Sequence, residues 1–172
     1  MKIKDNLKDG YEILKGNNIF SYKLDCEILM SQTLNISREE VLLNLDKGIR
    51  EEEREKYLNL INRRKKKEPI AYITNNKYFW KDKFVTDKDV LIPRPDSEHL
   101  VEQTLRFIKK DQHKRILDVG VGSGCLSISI LKERPYCKFD AIDLSKNALK
   151  LAKINANLHQ LSDRIKFYKR DV

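Results

Sequence analysis

Nowhere in these 172 residues is there a run of 18 consecutive apolar side chains, which leaves no candidate for a membrane-spanning helix. The first six residues, Met-Lys-Ile-Lys-Asp-Asn, lack the apolar core of a secretory signal, so a cytoplasmic protein is expected. Cysteine is scarce. Cys26, Cys125 and Cys137 are odd in number and show no Cys-x-x-Cys spacing, which argues against a disulfide framework or a zinc site and for a reducing compartment. His99, His113 and His159 are scattered without metal-ligand spacing, so no metal is expected. There is no internal repeat and no Gly/Ser-rich linker, so the parts of the chain are expected to pack rather than swing.

What is present in excess is positive charge: 35 basic against 26 acidic residues, net +9. An acidic partner such as nucleic acid fits this. The charges are interspersed, and a lysine-rich solvated surface explains the excess equally well. Arg63-Arg-Lys-Lys-Lys67 reads more readily as a solvated helix end than as an RNA-binding patch. An apolar content of 40% is enough for a modest core, in one domain or two small ones.

Of the six glycines, three alternate within five residues, in Arg115-Ile-Leu-Asp-Val-Gly-Val-Gly-Ser-Gly124. Ile116, Leu117 and Val119 read as a strand buried on both faces, and Cys125 to Leu131 as the helix that follows. Gly120, Val121, Gly122, Ser123 and Gly124 therefore form a strand-to-helix turn. Glycine there permits positive φ and lets backbone N–H groups approach a ligand, at the positively polarised end of a helix. The spacing is not that of a dinucleotide fingerprint, since Cys125 stands where the third glycine should be. Nor does Gly-Lys-Ser/Thr follow, which excludes a Walker-type phosphate loop. A second strand, Phe139 to Ile142, ends in Asp143, and an acid so placed suits the two hydroxyls of a ribose.

Upstream, periodicity predicts four helices: residues 5–16, residues 22–34, a short one opened by the Ser37/Glu40 capping box, and Glu51 to Lys67 with Leu58 and Ile61 inward. Glu68-Pro69 stops the last. From Tyr72 and Ile73 to Val85 the aromatic and β-branched residues read as a pair of strands. Ile92-Pro-Arg-Pro-Asp-Ser-Glu98 is an extended lead-in to a helix capped by Asp96 or Ser97, with Leu100, Val101, Leu105 and Ile108 inward. Ser145 caps a further helix, and a third strand runs from Arg164 to Tyr168.

Asp118-Val-Gly-Val-Gly-Ser-Gly124 with Asp143 resembles the S-adenosylmethionine site of class I methyltransferases. With Glu68-Pro-Ile-Ala-Tyr-Ile73, Phe79-Trp80 and Leu91-Ile-Pro-Arg-Pro-Asp-Ser-Glu98 in order before it, the whole chain resembles the HemK/PrmC family, the N5-glutamine methyltransferases of peptide chain release factors. The resemblance implies an α/β fold: a Rossmann-like sheet represented by its first three parallel strands (93–172), preceded by a helical substrate-recognition domain (1–74) and a β-hairpin linker (75–92). It implies S-adenosyl-L-methionine as cofactor, a release factor as protein partner, Asp171 at the adenine amino group with Val172 packed on the ring, and Arg94 and Glu98 bordering the pocket. The family's Asn-Pro-Pro-Tyr signature does not occur, so no catalytic residue is assigned. The expectation is a fragment that is catalytically silent, binds cofactor weakly, and self-associates through an open edge of its first strand. Two other functions fit the residues, an amino-group methyltransferase acting on nucleic acid and a non-catalytic partner-binding module.

Overall fold

The computed structural model describes residues 1–171 and divides into two compact units, Met1–Thr74 and Asn75–Val172. The first unit is helical. Its elements are α1 (Ile3–Lys15), α2 (Tyr22–Leu34), α3 (Arg38–Leu43), α4 (Glu51–Lys65) and the single turn α5 (Ile70–Thr74). Burial of Ile3, Leu7, Leu14, Leu29, Met30, Tyr57 and Ile61 around one core holds them together. At about 25 cal/mol per Å² of apolar surface, each such side chain contributes on the order of 2 kcal/mol. Gly10 is required by this packing, because a Cβ there would stand 2.3 Å from the Tyr57 hydroxyl. The capping box at the start of α3 forms, with Glu40 N donating to Ser37 Oγ at 3.1 Å and Ser37 N to Glu40 Oε2 at 2.7 Å. An ion pair crosses the bundle from the half-buried Arg64 to the buried Asp25, Nε to Oδ2 at 2.7 Å.

Tyr72 and Ile73, expected in a strand, lie in α5. Pro69 is the reason: it sits just before the turn, where a proline's missing N–H costs nothing, and its carbonyl accepts from the N–H of both residues. Helix α4 also ends two residues short of Lys67, which takes φ +65.

The second unit opens with an antiparallel hairpin, β1 (Asn76–Phe79) and β2 (Asp82–Val85), turned by Trp80 at φ +57. After it come a 3-10 turn at Pro95–Ser97, α6 (Glu98–Phe107), β3 (Arg115–Val119), α7 (Cys125–Glu133), β4 (Lys138–Asp143), α8 (Lys146–Leu158) and β5 (Ile165–Lys169). Neither Asp96 nor Ser97 caps α6, because the 3-10 turn runs straight into it and leaves Ser97 in helical geometry. Of the α6 residues expected inward, Val101 is buried and Leu100 is exposed.

The three longer strands form a parallel sheet in the order β3-β4-β5. Partner residues across a parallel sheet share a face, so Ile116, Phe139 and Ile165 point one way, and Leu117, Asp140 and Lys166 the other. The first face joins the core with Ile128, Leu131, Ala152 and Ala156 from α7 and α8. The second is open: Leu117 and Val119 are each 58% exposed, beside an Arg115–Asp140 ion pair. The expectation of a strand buried on both faces is thus corrected. β3 lies at the edge of its sheet, and among the described residues helices cover only one side.

Two arginines bind the layers. Arg164, just before β5, donates to the carbonyls of Leu131, Arg134 and Cys137, and the buried Arg134 donates to those of Leu105, Ile108 and Glu133.

Candidate functional site

Each strand of the parallel sheet delivers its C-terminal end to one edge, and the connection after it begins there. In α/β sheets that edge is where ligands bind. Gly120, Gly122 and Gly124 all take positive φ (74°, 54° and 81°), a region that costs an L-residue with a Cβ roughly 1–2 kcal/mol. Three successive departures of this kind turn the chain from β3 into α7 within five residues. Gly124 serves packing, since a Cβ there would lie 3.2 Å from Ile128 and 3.3 Å from Ala152. Gly120 serves space, because a Cβ there would meet nothing within 4 Å.

The N–H groups of the turn are largely spoken for. Gly120 N and Val121 N donate to Ile142 O at 2.9 and 3.0 Å, Gly124 N donates to Val121 O, and Gly122 N donates to Asp143 Oδ2 at 3.0 Å. The turn therefore presents a smooth wall to a ligand rather than the row of donors expected from its glycines. Val121 and Ser123 are buried, Val121 in the core and Ser123 with its carbonyl accepting from Asn155 Nδ2 at 2.8 Å.

Asp143 stands at the end of β4. Besides Gly122 N it accepts from Ser145 N at 2.8 Å through Oδ1, so its carboxylate is fixed by backbone on both sides. Each oxygen keeps a second acceptor position, because a carboxylate oxygen carries two. A cavity of about 210 Å³ opens beside it, lined by Val119, Gly120, Ile142, Leu144, Arg170 and Asp171 as well as Asp143 itself. Of the residues singled out by sequence, this cavity brings Gly120, Asp143 and Asp171 together. Val172 lies outside the described residues. Arg94 is exposed ahead of the 3-10 turn, and Glu98 Oε1 accepts from Trp80 N at 2.9 Å, which ties α6 to the hairpin turn.

Leu144, Arg170 and Asn155 escaped sequence reasoning, and Asp118 entered it only as part of the glycine motif, with no role assigned. Leu144 is 60% exposed in the cavity wall, and Arg170 sits over the Tyr168 ring at 5.8 Å. Asp118, half-buried near the end of β3, accepts from the Ser127 hydroxyl and makes no ion pair among the described residues. Burial, and after it the nearby Asp143 carboxylate, push its pKa up, while the Ser127 hydroxyl opposes them. A polar residue closing an otherwise apolar strand is the signal that marks Asp118. Asn155 is fully buried within α8, where asparagine is a poor helix former. Its Oδ1 accepts from Val85 N at 2.8 Å, and its Nδ2 donates to Val85 O and Ser123 O, joining β2, the glycine turn and α8.

A parallel sheet with a glycine turn after one strand and an acid closing the next defines an α/β protein of the methyltransferase type, and the model of the methyltransferase small domain matches residues 97–172. The model of the PrmC N-terminal domain matches residues 5–74. The two matches follow one another along the chain, the PrmC N-terminal domain first and the methyltransferase small domain after it. It is 42% identical over 175 residues to a release factor glutamine methyltransferase of Clostridium botulinum, covering 100% of this chain and 61% of that protein. It is 40% identical to the one of Clostridium acetobutylicum, over 100% of this chain and 60% of that protein. A bifunctional methyltransferase of Rickettsia typhi is 36% identical over 95% of this chain and 35% of its own length. The chain thus spans about three fifths of the length of the first two. A solved methyltransferase of Geobacter sulfurreducens in complex with S-adenosyl-L-homocysteine is similar over 45% of this chain and 30% of its own, at 24% identity and TM-score 0.38.

Proposed function

We propose that the second unit binds S-adenosyl-L-methionine in the cavity at the strand ends, and that the protein methylates the glutamine side-chain amide of the Gly-Gly-Gln loop of a release factor. The observation that carries this reading is the convergence of Gly120, Asp143 and Asp171 on one cavity. The open side of Gly120 leaves room for a ligand where any other residue would intrude. The spare acceptor positions of Asp143 suit a ribose diol, and its backbone hydrogen bonds hold the carboxylate ready without a rotamer search. Asp171 is assigned to the adenine amino group, Val172 to the ring, and Leu144 to the apolar wall.

The charge balance supports a cationic ligand. Asp118 and Asp143 lie on either side of the glycine turn without an ion pair among the described residues, a local field that favours a sulfonium and an ammonium. The bound cofactor supplies an electrophilic methyl group. The chain's own contribution is to orient it and to exclude water on the side of the turn.

The helical unit is assigned to substrate recognition, residues 75–92 to a linker, and 93–172 to the cofactor. Three free, buried thiols suit a cytoplasmic location. No helix among the described residues is long and apolar enough to cross a membrane.

The test is methyl transfer from labelled cofactor by the product of the complete reading frame, offered a purified release factor and RNA together, with the modified residue located by mass spectrometry. A methylated glutamine is expected. Label on the RNA and an unmodified factor would overturn the assignment.

A further inference from the structure

In the helical unit, and independently of the methyl acceptor, the turn between α1 and α2 carries Phe20 almost wholly in solvent, at 97% exposure. That turn is not loose. Asn17 Nδ2 donates to Ile13 O at 2.7 Å, Ile19 N donates to Leu14 O, Tyr22 N donates to Ile19 O, and the buried Ile19 pins the loop to the core. Phe20 is therefore displayed by a rigid support, so that a partner engaging it need not order the backbone.

Beside it lies a cavity of about 320 Å³ lined by Asn18, Ile19, Phe20, Ser21, Arg64 and Lys67. Arg64 is fixed in that wall by Asp25 Oδ2 and Glu68 O, and Arg63 is paired with Glu68. Lys65, Lys66 and Lys67 remain exposed with no ion pair among the described residues, and Lys15 and Lys23 flank the turn in sequence. Lys67 takes φ +65, a position where glycine is the usual and less strained choice after a helix. A lysine kept there against its backbone preference places a cation at the mouth of the cavity.

We propose that this face binds single-stranded RNA: a base stacks on Phe20, its polar edge meets Asn18 and Ser21, and the backbone phosphates lie along Lys65, Lys66 and Lys67. Stacking on an exposed aromatic beside a run of cations is the general recipe for single-strand binding. A protein partner is the weaker fit, because such interfaces centre on a larger apolar core. In and next to this turn the exposed large apolar side chains among the described residues are Phe20 and the 45%-exposed Leu24, and Asn18, Ser21, Arg64 and Lys67 put polar groups among Ile19 and Phe20 in the cavity wall.

Fluorescence anisotropy of the whole chain with a short labelled oligouridylate tests it. Binding should weaken steeply with salt, Phe20→Ala should weaken it about fivefold or more, and replacing Lys65, Lys66 and Lys67 together by glutamate should abolish it. Lys67→Gly separates the role from structure: the variant should melt higher than the parent yet bind the oligonucleotide less well. Phe20 is so exposed that its removal leaves the fold intact, which circular dichroism would verify. Absence of binding, or binding that Phe20→Ala leaves unchanged, overturns the proposal. If instead Phe20→Ala weakens binding of a purified release factor and not of the oligonucleotide, the face is a protein dock and the RNA assignment fails.

Discussion

Asp143 and Asp118 flank the same glycine turn, and their surroundings give them opposite roles. Asp143 accepts two backbone N–H groups and has acceptor positions to spare, so Asp143→Ala is expected to cost about 1.5–3 kcal/mol of cofactor affinity, as a hydrogen bond to a charged group does. Calorimetry measures this directly, and an unchanged affinity in a folded variant would make the acid structural. Asp118 holds its proton more tightly in the folded chain than in the unfolded one. Its contribution to stability is therefore complete below the ordinary carboxylate pKa of about 4 and is lost as the pH rises above it. Asp118→Asn should melt above the wild type at neutral pH, with the gap closing on acidification, while binding a cationic ligand less well. Thermal melts across that range, set beside cofactor titrations, check both halves.

Among the elements, those governed by neighbours in sequence were legible and those governed by distant partners were not. The Ser37/Glu40 box and the glycine turn follow from spacings of a few residues, and both form as read. The exposure of Leu117 and Val119 follows instead from the strand order and from which side the helices cover, and neither is encoded in Ile-Leu-Asp-Val. Tyr72 and Ile73 have strand-like side chains, yet Pro69 sets the local backbone and they close a helical turn. The arginine staples are equally invisible in sequence, because their partners are carbonyls, which every residue carries. Arg164→Lys keeps the charge and loses the fork that reaches three carbonyls, so a loss of about 2–3 kcal/mol is expected from urea unfolding. A smaller loss would show that water replaces those bonds readily.

For the molecule as a whole, the outer edge of β3 has no partner strand among the described residues, and Leu117 and Val119 extend beside it on the open face. We expect the 172-residue chain to self-associate as its concentration rises, because unpaired N–H and C=O groups next to apolar surface favour pairing with another chain. Sedimentation velocity should show this, and Val119→Lys should suppress it without unfolding the unit. A monomer at all concentrations would mean that the edge is protected. Native-state hydrogen exchange should separate the units as well, with slow amides in the helical core and faster ones along the β3 edge.

Asn155 has one amide and three backbone partners, one in the glycine turn and two in the hairpin strand. A side chain shared in this way makes the two segments thermodynamically reciprocal: whatever free energy a ligand gains by finding the turn already rigid, it returns as added resistance of the hairpin to opening. The hairpin thus becomes a remote reporter of occupancy, and the Val85 amide should exchange more slowly when the cavity is filled although it touches no ligand.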